Sequence, residues 1–180
     1  MATLSIYKKR LKADITNEQG GYRNRFLFAP RATFTVIAGV VSPYAALGDK
    51  VKITADHTFA VDDGFIEWTC KRHSATHTTE PVGDAGSQSL LHKYSVIVLG
   101  DGAATLEQMR ELLNDDLICL MQDQDCAAEE YVQFGDECLS PDVKISFTGN
   151  TTKEGLKEYK LEMEVKDKKF FYSGDVALKP

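Results

Sequence analysis

Tyr159-Lys160-Leu161-Glu162-Met163-Glu164-Val165 alternates apolar and charged residues without a break, and this stretch decides the fold class. Successive side chains of an extended strand point to opposite faces, so period 2 predicts a strand with one face buried and one wet. Tyr159, Leu161, Met163 and Val165 fall on the buried face. Val143-Lys144-Ile145-Ser146-Phe147 alternates in the same way, and the Gly155 region between the two reads as a hairpin loop. Working outward, Leu27 to Ala29 and Thr33 to Ile37 read as strands with Pro30 at a bend between them. Lys50 to Thr54, Thr58 to Val61, Phe65 to Cys70 and Lys93 to Leu99 follow the same period. Leu117-Ile118-Cys119-Leu120-Met121 is continuously apolar over a strand's length, the pattern of a strand covered on both faces.

One segment reads as helix. Thr105-Leu106-Glu107-Gln108 fits a capping box, in which the hydroxyl accepts from an early backbone N–H and the glutamine reaches back to the cap. Leu106, Met109 and Leu113 follow at i, i+3 and i+7, which predicts one apolar face ending at Asn114-Asp115-Asp116. The expectation is a mainly β protein, a β-sandwich or barrel with one short packed helix over about residues 105–114. The 180 residues are expected to form a single β-rich domain, with a basic N-terminal arm over about residues 1–25. Lys71 to Ser89 is too polar and turn-rich for core and reads as a long loop or hairpin tip.

The chain carries 21 Lys+Arg against 27 Asp+Glu, a net charge of −6. Its longest apolar runs are far shorter than the ~20 residues of a membrane-spanning helix, and its start shows no export signal. The expectation is a soluble, intracellularly made protein without a membrane anchor. Charge is unevenly placed. Residues 1–31 hold seven bases and two acids, whereas residues 101–142 hold twelve acids and the single base Arg110. Such opposite patches suit a head-to-tail contact between copies. The predicted inter-subunit residues are Lys8, Lys9, Arg10, Lys12, Arg23 and Arg25 on one side, and Asp115, Asp116, Asp123 and Asp125 on the other. The simpler alternative is that both runs are solvated faces.

Motifs for chemistry are sparse. Cys70, His73 and His77, with His92 further on, could supply a tetrahedral zinc site, although no C-x-x-C knuckle accompanies them. Otherwise they are polar residues of a loop. Of the four cysteines, Cys119 sits in the apolar run and reads as a small core residue. A Cys126–Cys138 bridge is possible by count but would stay reduced in a cytosol. Gly83 to Gly86 and Gly100 to Gly102 lack the lysine or third glycine of a phosphate cradle. No hydrolase or metalloprotease motif is present. The reading is therefore non-enzymatic, with no cofactor.

From Gly86 to Tyr172 the chain resembles the tail tube proteins of tailed bacteriophages, especially those of Bacteroides-type hosts. The residues carrying the resemblance begin with Ser87-Gln88-Ser89 leading into a strand to Leu99, then a helix with Leu106 and Leu112-Leu113-Asn114. Asp116-Leu117-Ile118-Cys119-Leu120-Met121-Gln122-Asp123-Gln124-Asp125 follows as a strand running into an acidic turn. A short element ends in Gly135, Ser146-Phe147-Thr148-Gly149 comes next, and Tyr159 to Glu164 precedes Phe170-Phe171-Tyr172. The chain departs in having Asp125-Cys126 where such proteins often have Asn-Gly. The resemblance implies a structural virion protein with a sandwich or barrel and a flanking helix. Such proteins assemble into rings, commonly hexameric, that stack into a tube through which double-stranded DNA passes. Related tubes occur in contractile injection systems. The implied partners are further copies of the chain and other tail or connector proteins, and the implied location is the virion tail, after synthesis in the bacterial host cytoplasm. An acidic face along the DNA path would keep phosphates from adhering. The alternative function is a non-enzymatic β-sandwich binding module, adhesin-like or carbohydrate-binding.

Overall fold

Where the chain alternates it pairs, and where it is apolar throughout it lies at the centre of the protein. The computed structural model describes residues 22–100, 102–123, 130–149 and 157–180. Its strands are β1 (Tyr22–Pro30), β2 (Phe34–Val36), β3 (Lys52–Ile53), β4 (Thr58–Phe59), β5 (Ile66–Thr69), β6 (Thr76–Val82) and β7 (Ser89–Leu99). The helix α1 (Ala103–Leu112) follows, then β8 (Leu117–Asp123), β9 (Tyr131–Phe134), β10 (Asp142–Thr148), β11 (Glu158–Lys166) and β12 (Lys169–Tyr172). The fold is mainly β with one helix among the described residues. No described helix is long and apolar enough to cross a membrane.

A six-stranded sheet runs β3-β12-β9-β8-β1-β5, a four-stranded sheet runs β10-β11-β7-β6, and β2 pairs with β4 as a short ribbon. The two larger sheets pack face to face. Phe26, Phe28, Cys119, Met121 and Phe134 of the first meet Tyr94, Val96, Leu161 and Met163 of the second, with Met109 and Leu112 of α1 in the same cluster. On the other face of the six-stranded sheet, Leu27, Ile118, Leu120 and Tyr172 pack with Ile53 and Phe65, and the ribbon residues Phe34 and Phe59 close over them. The central sheet is thus covered twice, and Leu117 to Met121 are all at most 1% exposed. This is the physical content of the unbroken apolar run. The alternating strands instead form the outer sheet, where Tyr159, Leu161, Met163 and Val165 are buried and Lys160 and Lys166 are exposed.

Three expectations are corrected. The helix starts two residues before the capping box, with Gly102 at the N-cap and no side-chain cap bond. Thr105 is therefore already inside the first turn, and Leu106 N–H donates to Gly102 C=O at 3.0 Å. The buried face is Met109 and Leu112, while Leu106 and Leu113 are 41% and 47% exposed. Leu113 is the C-cap and still has helical φ and ψ, so helical spacing holds, but Leu106 and Leu113, seven residues apart, lie to one side of the face that Met109 and Leu112 bury.

The segment Lys71 to Ser89 is not one long loop, because Thr76 to Val82 within it form β6. Thr76 to Val82 pair residue for residue with Ser95 to Ser89, and the turn between them uses Gly83 and Gly86 at positive φ, which glycine adopts without a Cβ clash. Its polarity misled because β6 is an edge strand, where even Pro81 is tolerated. Finally, Tyr22 to Arg25, placed in the expected N-terminal arm, belong to β1. Lys8, Lys9, Arg10, Lys12, Asp125, Cys126 and Gly155 lie outside the described residues.

Candidate functional site

The four-stranded sheet is built so that its two outer strands match. Every pairing in it is antiparallel, so with four strands the outermost two, β10 and β6, run in opposite directions. Both are seven residues long, about 23 Å at ~3.3 Å per residue. Among the described residues no strand pairs with the outer side of either one. Each edge therefore presents a row of backbone donors and acceptors, interrupted on β6 at Pro81, which has no N–H and whose partner Leu90 turns its own N–H and C=O toward Asp167.

The outward face of the sheet is polar. Ser95 of β7 lies opposite Thr76 of β6, with the two hydroxyls 2.8 Å apart. Lysines and glutamates on this sheet neutralise one another: Lys93–Glu80 at 2.8 Å, Lys144–Glu164 at 3.0 Å, and Lys160 with Glu162, while Lys71 from the segment after β5 reaches Glu158 at 2.8 Å. Being exposed, these pairs add little stability. Their consequence is a wall with both charges present and nearly balanced. Residues 115–137 contribute nothing to it, since the sheet is made of Thr76–Val82, Ser89–Leu99, Asp142–Thr148 and Glu158–Lys166.

The charged residues expected to meet across a subunit contact are in part engaged within the chain. Arg23 Nη1 donates to Gln122 Oε1 at 2.8 Å. Arg25 pairs with Glu67 across the β1–β5 ladder at 2.8 Å. Asp116 accepts from Arg31 Nη2 at 2.7 Å, a partner that charge counting passed over. Asp115 lies in the turn after α1, exposed, and Asp123 closes β8 at the register position opposite Tyr22.

The four candidate zinc ligands do not converge. Cys70 sits beside β1 and the far end of β7, where its N–H donates to Asn24 C=O and the following N–H to Ile97 C=O. That is five residues along β7 from His92, about 16 Å. Burial pushes the Cys70 thiol up to about 12, and His73 stands in a turn at φ 57. Only His77 and His92 come together, their ring centroids 5.7 Å apart. No group of three metal-ligating side chains exists among the described residues.

Sequence reasoning missed a buried polar cluster around His57. This residue is 3% exposed and stacks on Tyr172, with ring centroids 4.5 Å apart. Its Nδ1 accepts from the Ala38 N–H at 3.0 Å, which leaves Nε2–H to donate to Gln133 Oε1 at 2.8 Å. Gln133 in turn donates from its amide nitrogen to Gly135 C=O at 3.0 Å. Burial holds His57 below its ordinary value, against the upward pull of Gln133 and Asp56. Every polar atom of the two side chains named here has a partner, so the cluster reads as a structural lock on the central sheet. Comparison with family models, curated proteins and solved structures returns no match.

Proposed function

We propose that this chain is a self-assembling tube protein whose four-stranded sheets join edge to edge, β10 of one copy to β6 of the next. The observation that supports this is the pair of open edges of equal length and opposite direction. When copies are related by rotation about a ring axis, an antiparallel sheet with an even number of strands continues antiparallel across each seam. Such a contact is head-to-tail and closes into a ring when the rotation closes. Closure also removes the exposed edges that would otherwise invite uncontrolled pairing.

Six copies would bring about 24 strands into one barrel, and at ~4.8 Å spacing and ~40° tilt the backbone circle is on the order of 45–50 Å across. That bore admits a DNA duplex. The wall facing it would be the polar sheet face, whose lysines are already occupied by glutamates and so offer few free cations to phosphates. Stacked rings of this kind form the tail tube of a phage or the tube of an injection machine, and on this reading the protein belongs to a virion tail, with other tail or connector proteins at the tube's ends. Lys8, Lys9, Arg10 and Lys12 keep their assignment as a docking segment for a neighbouring copy, with Arg23, Arg25 and Asp116 withdrawn from it because they pair within the chain.

Proline scanning of β10 tests the seam. In an antiparallel ladder adjacent residues aim their N–H groups alternately toward the partner strand and away from it. Of the neighbours Ser146→Pro and Phe147→Pro, one loses a bond to β11 and is destabilised, while the other loses only an outward donor. The variant that keeps the wild-type unfolding midpoint is expected to form markedly fewer rings in negative-stain images, a partial loss because the seam already accommodates Pro81 of β6 without its N–H. Normal rings from that variant would reject edge pairing through β10, and a monomer from the wild type at high concentration would favour the binding-module alternative.

A further inference from the structure

The inward side of β6 differs from that of its neighbours. β7 and β11 bury Tyr94, Val96, Tyr159, Leu161 and Met163, with His92 of β7 among them, whereas β6 sets the half-buried His77 and the exposed Thr79 on that side, the register partners of Tyr94 and His92. The Tyr22 hydroxyl, on β1 of the opposite sheet, lies 3.2 Å from His77 Nδ1. On the other side of the ring, His77 Nε2 is 3.3 Å from Thr79 Oγ1, which is 3.0 Å from His92 Nδ1. A polar chain of Tyr22, His77, Thr79 and His92 thus bridges the two sheets under an edge strand. The His77 ring is also set edge-on to Phe134 of β9, with centroids 5.3 Å apart.

We propose that His77 and His92 form an acid-operated latch, which when neutral holds β6 against the six-stranded sheet and when protonated releases it. With both rings neutral the chain can be ordered in one direction: Tyr22 O–H donates to His77 Nδ1, His77 Nε2–H to Thr79 Oγ1, and the Thr79 hydroxyl to His92 Nδ1. A proton added at His77 Nδ1 would still find an acceptor in Tyr22 Oη, so hydrogen bonding does not resist it. The resistance comes from surroundings and charge. Burial, the Lys169 ammonium of β12 and the neighbouring His92 hold His77 down to about 4. Burial and Lys169 also lower His92, with Asp167 in the turn before β12 pulling it back up. The remaining titratable groups facing the pair are the phenols of Tyr22 and Tyr94, and burial pushes Tyr94 upward, so it stays neutral.

A β6 segment lifted into water would protonate His77 near 6.5. The open form therefore binds a proton that the closed form refuses, and acid favours opening between those two values. For His77 alone the opening equilibrium rises about 20-fold from pH 7 to pH 5. An edge strand held by one neighbour is also where local opening costs least. The consequence for assembly rests on the reading in which β6 forms the seam: mild acid would then take rings apart without unfolding the subunit.

The experiment is amide hydrogen exchange on the full chain at pH 7, 6 and 5, each rate expressed relative to the intrinsic chemical rate at that pH. Protection over Thr76–Val82 is expected to fall about 20-fold from pH 7 to pH 5 while Leu117–Asp123 keeps its protection. In His77→Gln most of that pH dependence should vanish. Should that variant fail to fold, the wild-type His77 imidazole followed by NMR serves instead, with a midpoint near 4 expected. Unchanged β6 protection across the range, loss in step with β8, or an ordinary imidazole midpoint would each overturn the latch. Ring formation at pH 7.5 is scored separately: its absence would strike the assembly reading and leave the exchange result standing.

Discussion

Replacing Gln133 by Leu should destabilise the protein more than its modest change in size suggests. The side chain is fully buried, and its amide makes two bonds: it accepts from His57 Nε2–H at 2.8 Å and donates to Gly135 C=O at 3.0 Å. Leucine fills similar space and makes neither bond. His57 cannot compensate by switching tautomer, because the Ala38 N–H already occupies Nδ1. A buried donor and a buried acceptor are therefore left without partners, at about 1–3 kcal/mol each, offset in part by the more apolar side chain. The expected cost is about 3 kcal/mol, which for a chain of this length lowers Tm by about 6–12 °C. Urea unfolding followed by tryptophan fluorescence and a thermal scan both read it, since Trp68 packs against the core through Phe28. Gln122→Leu is the control. Gln122 is also buried, but its partner Arg23 is part-exposed and can turn to water, so its loss should cost less than about 1.5 kcal/mol. Equal effects from the two variants, or a Gln133→Leu protein more stable than wild type, would refute the claim that this network locks the central sheet.

Leu112→Ala should cost about 2–5 kcal/mol and Leu113→Ala less than about 1, reversing the order that helical spacing alone predicts; chemical denaturation of both decides it. Gly135 holds φ 90, and a Cβ there would stand 2.9 Å from Pro141 Cδ and 3.2 Å from two carbonyl oxygens, so Gly135→Ala should lose at least about 1–3 kcal/mol in the same assay. His57 and His77 both titrate below their unfolded value of about 6.5. The unfolded chain takes up protons first, so unfolding free energy should be flat above about pH 7 and fall as pH drops below 6.5; a urea midpoint constant from pH 7.5 to pH 5 would contradict that sign. Lys160→Ala and Lys144→Ala should each change stability by less than about 1 kcal/mol, because their ion pairs are exposed.

The strict alternation of β10 and β11 and the unbroken apolar run of β8 were legible because burial on one face, or on both, writes a direct pattern into the residues. Edge strand β6 was not, because its half-buried His77 and exposed Thr79 are polar and hydrogen-bond to each other and to His92 in place of apolar packing. Leu113 misled because the apolar residues fit more than one phase of the helix: Leu106 and Leu113 share an exposed side, and the core is met by Met109 and Leu112. The His57–Gln133 lock joins residues 76 positions apart, and no spacing rule reaches that far. Charge asymmetry along the chain was real, yet Arg25 and Asp116 found Glu67 and Arg31 within the same fold, because registry across a sheet decides which charges meet. The open edges of the four-stranded sheet became visible only once strand order was known.

The central claim is that copies join through β10 and β6 into a closed antiparallel barrel, and an electron cryomicroscopy reconstruction of the purified assembly tests it most directly. The account predicts rings whose inner wall is a continuous sheet of four strands per copy, with Asp142–Thr148 paired to Thr76–Val82 of the neighbour and the lysine–glutamate face toward the bore. Rings joined through any other surface, with both of these edges left in solvent, would contradict it.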